Sequence, residues 1–153
     1  MQAIDAIDKK ILSRLQKNNL ISAAELGKSF NLSTSAVQRR INRLREENII
    51  EADISIVSQA VVSKAVTCIV EISLQLGNMQ IVEEFKTMLC NCNEVMQSFY
   101  VAGVYDFIVI ISVEDMSTYD TFARTYFMDN AHVKQFCTHV VLQKTKLDYS
   151  VAV

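Results

Sequence analysis

The hydrophobic period of this chain is helical throughout its first part and includes strand-like alternation only after it. Up to Leu44, apolar residues recur at steps of three and four, the spacing that keeps one face of a helix dry. Over residues 66–76 they alternate with polar residues, as in a half-buried strand, and strand and helix patterns then succeed one another. Helices first and a strand-rich remainder point to an α+β chain of two parts rather than one mixed layer. The 153 residues suffice for two small domains. The expected division is a helical domain over 1–50, a wing and linker over 51–64, and an α+β body over 65–153.

Three helices are expected in the first part. Ile4, Ile7, Ile11 and Leu15, with Leu12 beside them, form one face, and Asp5 or Asp8 suits its start. Ser22-Ala23-Ala24-Glu25 is a capping-box sequence that opens a second helix carrying Leu26 and Phe30 inward. Asn31 tolerates the left-handed turn that closes it. Ser33-Thr34-Ser35 then caps a third helix, with Val37, Ile41 and Leu44 as its buried stripe. So short a break between helices two and three fits a helix-turn-helix.

Opposite that stripe lie Ser35, Arg39, Asn42 and Arg43, with Gln38 flanking them and Ser33 and Thr34 at the helix start. Arg40 lies nearer the core edge. In a helix-turn-helix the second helix enters the major groove, its N-terminal residues at base edges. Arg pairs with guanine there and Gln or Asn with adenine. Charge supports a DNA partner. Residues 1–50 hold nine Lys/Arg and five Asp/Glu, a net of +4. Residues 51–153 hold six and twelve, a net of −6. A basic head on an acidic body brings only the head to phosphate. An amphipathic helix with a solvated basic face is the plainer alternative, but residues 34–45 contain four arginines and no acid.

Ile49-Ile50 and Ile54-Ser55-Ile56-Val57 read as short extended segments, expected to form a small wing. A strand follows over 66–76, with Cys68, Val70, Ile72, Leu74 and Leu76 on one face. Gly77-Asn78 breaks it, and Asn78 caps a helix striped by Ile81, Val82, Phe85, Met88 and Leu89. Strands are expected over 94–102 and 106–113, joined as a hairpin through Gly103-Val104-Tyr105. Asp115 caps a second helix bearing Met116, Tyr119, Phe122, Ala123, Tyr126 and Phe127, and a last strand spans 133–144. The order β-α-β-β-α-β is ferredoxin-like and leaves one sheet face open. Phe99, Val101, Phe107, Val109 and Ile111 exceed what two short helices hide, so a sheet-against-sheet dimer is expected, with larger assemblies built from it.

Other classes are disfavoured. The longest aliphatic and aromatic run, Phe107 to Ile111, is far short of the roughly 20 apolar residues of a membrane span. The opening MQAIDAIDKK has no apolar stretch, so no signal peptide and a cytoplasmic location are expected. Cys68, Cys90, Cys92 and Cys137 are then reduced. Cys90-Asn91-Cys92 is too tight for usual zinc spacing, and His132 and His139 point to opposite faces of a strand, so no metal or cofactor is expected. No P-loop, GxGxxG or GxSxG occurs, and no catalytic residue is assigned.

Three stretches resemble the Lrp/AsnC, or feast/famine, regulators: IDAIDKKILSRLQKN, LSTSAVQRRINRLREENII and VAGVYDFIVII. The resemblance covers nearly the whole chain. It implies a winged helix-turn-helix that binds double-stranded DNA, dimers assembling into octamers or other multiples, and a small effector, most often an amino acid, between dimers. By position the effector site would comprise Gly103, Val104, Tyr105 and Asp106, with Phe136 and Thr138 on the last strand. Phe136 stands where the family pattern has a threonine, which would shift specificity toward a larger apolar ligand or abolish amino-acid binding. Asn48 replaces a usual glycine, as does Ser63-Lys64. Asp106 would accept a ligand ammonium, or else only cap backbone amides of the turn. Sirohaem decarboxylases resemble the same two-domain family and are the enzymatic alternative.

Overall fold

A computed structural model describes residues 3–59, 61–62, 66–75 and 78–153. Ser63, Lys64, Leu76 and Gly77, singled out in the sequence, lie outside the described residues. The chain divides into two compact units: residues up to Ile56 together with 146–153, and residues 57–145.

The first unit is built from α1 (Ala6–Leu15), α2 (Ala23–Phe30) and α3 (Thr34–Glu46). Each begins where a short polar side chain takes orphan amides of the first turn. Asp5 accepts from Ile7 and Asp8, Ser22 from Glu25, and Ser33 from Ala36. The reciprocal box closes at Asp5/Asp8; at Ser22/Glu25 only the serine half forms. Ile11, Leu12, Leu15, Leu26, Val37, Ile41 and Leu44 form the core. Ile4 precedes the helix and stays exposed.

The turn between α2 and α3 rests on two residues. Asn31 adopts the left-handed conformation at φ 56° and ψ 47°, and the Leu32 amide returns to the Gly27 carbonyl at 2.9 Å. A Cβ on Gly27 would lie 2.6 Å from the Leu32 carbonyl oxygen, so this close approach requires glycine. Asn48, at φ 54°, closes α3 in the same way, and the amides of Ile49 and Ile50 both donate to Leu44. The expected wing strands do not form: residues 51–58 contain no strand, and Ile54, Ile56 and Val57 are exposed. An extended segment becomes a strand only with a partner for its ladder, and this one is held instead by the Arg45–Asp53 ion pair at 2.8 Å.

The second unit runs β1 (Val66–Leu74), α4 (Met79–Cys90), β2 (Val95–Tyr100), β3 (Phe107–Val113), α5 (Met116–Ala123) and β4 (Val133–Val140). The sheet order is β2-β3-β1-β4, with antiparallel neighbours throughout. α5 continues into a π-helical turn, Arg124–Met128, closed by an Asp129-to-Arg124 bond at 2.9 Å. That i,i+5 register sets Phe127 edge-on to Phe122, with centroids 5.5 Å apart. Met116 is exposed rather than part of the stripe.

The pleat assigns the faces differently from the sequence expectation. Phe107, Val109 and Ile111 are wholly covered, packed with Val70, Ile72, Val82, Phe85 and Phe122 under the helices. The opposite face carries Phe99 paired with Ile108, and Ile110 paired with Ile69. Two helices do hide the residues on the side they cover, because alternate side chains of β3 leave by the other side.

Gly27→Ala is expected to destabilise the first unit by about 1–3 kcal/mol, because backbone must move to admit the methyl group. Gly103→Ala, which meets no atom within 4 Å, is expected to be neutral or to stabilise by up to about 1 kcal/mol. Denaturant unfolding of the two variants checks the contrast.

Candidate functional site

The exposed face of α3 follows from its buried one. With Val37, Ile41 and Leu44 in the core, Ser35, Gln38, Arg39 and Asn42 are exposed. They line a shallow open groove with Arg43 and Glu46. Ser33 Oγ is occupied by the cap and by Ser35 Oγ at 3.2 Å. Gln38 Nε2 donates to Asn42 Oδ1 at 2.9 Å, which holds the two amides side by side. Among the described residues no carboxylate pairs with Arg39. Thr34 lies in the first turn, where the helix dipole favours anions.

Arg43 is less outward than its position on the helical wheel suggests. Its Nη2 donates to Asp8 Oδ2. Arg40 donates to Asp5 Oδ2 at 2.6 Å and to Asp8 Oδ1 at 2.8 Å. Asp8 has no solvent exposure, and its Oδ2 also accepts the Asp5 amide at 3.1 Å. The cap of α1 therefore anchors α3 as well. Burial pushes the Asp8 carboxyl up, but hydrogen bonds from Arg40, the Asp5 amide and Arg43 outweigh it and leave the group below the usual aspartate range. Asp5 is lowered by the Asp8 amide and by Arg40. The sequence suggested acids at the α1 N-terminus; their partners 32 and 35 residues away had no local signal.

In the second unit, residues 101–106 join β2 to β3, and the segment is tied to β1. The Asp106 amide donates to Ile72 at 2.9 Å, and Asp106 Oδ2 accepts from the Leu74 amide at 2.8 Å. Ser73 Oγ donates to the Val104 carbonyl at 3.3 Å. Val104 and Gly103 are exposed; Tyr105 is half-buried. Phe136 pairs with Ile72 from the other side and meets the Phe127 ring at 5.3 Å. Thr138 Oγ1 hydrogen-bonds Tyr119 Oη. Loop and strand residues thus flank Ile72, with Asp106 holding β1 rather than the turn's own amides.

A helix-turn-helix head whose second helix has an exposed polar and basic face, followed by a β-α-β-β-α-β body, is the layout of a DNA-binding transcriptional regulator with a ligand-binding domain. The family model described as AsnC-type helix-turn-helix domain matches residues 4–45, and that described as Lrp/AsnC ligand binding domain matches 67–151. An uncharacterized HTH-type transcriptional regulator of Sinorhizobium fredii is 41% identical over 98% of this chain and 89% of its own length. The leucine-responsive regulatory protein of Escherichia coli is 29% identical over 94% and 87%. Among solved structures, a transcriptional regulator of Neisseria meningitidis in complex with L-Met superposes with a TM-score of 0.91 at 23% identity, covering 97% of this chain and 96% of that one. Escherichia coli AsnC superposes at 0.88, with 21% identity, over 99% and 100%. The chain belongs to the Lrp/AsnC family of transcriptional regulators. Like the relatives named as regulators, it is a transcriptional regulator, and these similarities give the enzymatic alternative no support. Among the described residues no helix is long and apolar enough to cross a membrane.

Asp8→Asn tests the clamp. It is expected to lower stability of the first unit at pH 7 by on the order of 2–3 kcal/mol, the loss of a buried charge partner for two half-exposed arginines. Both carboxyls are depressed in the folded state, so their contribution is complete above about pH 4 and is lost as pH falls through the folded values. Thermal unfolding between pH 7 and 2 is expected to show a steeper acid loss in the parent than in the variant.

Proposed function

We propose that α3 reads a double-stranded operator in the major groove through Ser35, Gln38, Arg39 and Asn42, with Ser33 and Thr34 meeting phosphate at the helix start. The observation that carries this reading is the contiguous exposed face opposite the buried Val37, Ile41 and Leu44 stripe. Arg43 borders it and serves mainly to hold α3, since its guanidinium already engages Asp8.

The body senses a small molecule, an amino acid, at the segment Gly103, Val104, Tyr105 and Asp106 with Phe136 and Thr138. Support comes from the family of this domain and from the L-Met complex of the Neisseria relative. Asp106 can accept an ammonium through its second oxygen while the first keeps Leu74. Phe136, packed on Phe127, favours a ligand with an apolar side chain. The open sheet face, with Ile69, Phe99, Ile108 and Ile110, pairs with a second copy, and such dimers build octamers or other multiples. The protein works in the cytoplasm.

A gel-shift titration on DNA upstream of the protein's own gene, with competitor and a panel of amino acids, tests regulator and sensor together. Specific binding that one amino acid moves is the expected result; binding no stronger than competitor on every promoter in a genome-wide screen counts against the reading of α3. Arg39→Ala is expected to cost about 1–3 kcal/mol at the operator and to relax preference at one base position. Asp106→Asn keeps an acceptor for Leu74 but removes the charge. It is expected to abolish the ligand response with the fold intact, and an unchanged response would rule out the ammonium role.

A further inference from the structure

On the open face of the sheet, three side chains of metal-binding type converge. Glu71 on β1 lies directly opposite Cys137 on β4. His139 follows two residues along β4, and period-two alternation keeps it on the same face as Cys137. His139 Nε2 stands 3.1 Å from Glu71 Oε2. One ligand atom from each of the three lies within 4.8 Å of the others. We propose that Glu71, Cys137 and His139 bind one divalent transition-metal ion of the zinc type.

The donor set selects the ion class. A thiolate with an imidazole and a carboxylate suits zinc or its cobalt surrogate, whereas calcium and magnesium take oxygen ligands. Zinc bonds of 2.0–2.3 Å in a tetrahedron set ligand atoms roughly 3.5 Å apart. Closing the triad thus takes about 1 Å of side-chain adjustment, available at an edge strand where Cys137 is a free, exposed thiol and His139 is exposed. Three protein ligands leave the fourth position to water. The Cys90/Cys92 pair does not compete: Cys92 is buried, donates to the Met88 carbonyl at 3.2 Å, and has its thiol pushed up by burial. A cross-strand ion pair alone would account for Glu71 and His139 but not for the thiol beside them. All three ligands come from one chain, so assembling the site takes no residue from a second copy, although the dimer proposed above covers the same face.

Cobalt(II) is the probe. Reduced, metal-free, full-length protein is titrated while thiolate-to-metal charge transfer and the visible bands of tetrahedral cobalt are followed; zinc is then added as competitor. The expected result is one cobalt per chain, displaced by zinc, with both signals present. Cys137→Ser is expected to remove the charge-transfer band. His139→Ala and Glu71→Gln are each expected to weaken binding by more than about tenfold, the loss seen even for outer-shell partners. Cys90→Ser is expected to change nothing. The absence of a thiolate band in the parent overturns the proposal. So does a band that survives Cys137→Ser, disappears in Cys90→Ser, or is unaffected by both His139→Ala and Glu71→Gln.

Discussion

The pleat of β1 organises everything in the second unit. Flanked by β3 and β4, this strand has no free edge, and its alternate residues are divided between two unlike environments. Cys68, Val70, Ile72 and Leu74 go under the helices, where they are almost without exposure. Thr67, Ile69, Glu71 and Ser73 go to the open face. A slip of one residue would exchange the two sets, so the buried apolar set specifies register strongly. The backbone of the same strand anchors the loop after β2, through Ile72 and Leu74, while Phe136 pairs at Ile72 from the opposite flank. Core, proposed effector segment and proposed metal triad thus all depend on one strand.

A comparable economy appears in the first unit. Asp8 is a buried carboxylate, which is costly unless paired and hydrogen-bonded. Here the pairing partners are Arg40 and Arg43, on α3, the helix proposed to read DNA. A charge that suits the start of α1 is buried only with partners that orient α3, and it divides the arginines of that helix by role. Arg40 and Arg43 look back to α1; Arg39, one residue from Arg40 and so about 100° around the helix, looks outward. A basic helix therefore carries fewer arginines available to bases than its composition suggests.

Local devices were readable wherever a single residue has one physical use. The caps at Ser22, Ser33, Asn78 and Asp115 and the left-handed Asn31 follow from side-chain chemistry acting over two or three residues, whereas sequence left the start of α1 open between Asp5 and Asp8. The helical stripes and the β1 alternation follow from period alone. The wing was not readable, because Ile54, Ile56 and Val57 have the composition of a strand but no partner to pair with. The open face was expected, but its residues were placed on the wrong side of β3: a strand apolar on both faces gives no phase from sequence. The strictness of Gly27 depends on a carbonyl five residues ahead and was invisible to composition.

By itself, the amino-acid sequence determined the order of elements, the two-part architecture, the stripe of α3 and hence which of its side chains face away from the core. These are properties of spacing, and spacing survives without coordinates. Tertiary structure decided which charges meet: Asp8 with Arg40 and Arg43, Asp106 with the Leu74 amide, Glu71 with Cys137 and His139. Each of these contacts joins residues more than 30 positions apart. Their proximity is set by helix packing and strand register, which depend on the summed burial of the whole core rather than on any local run of sequence.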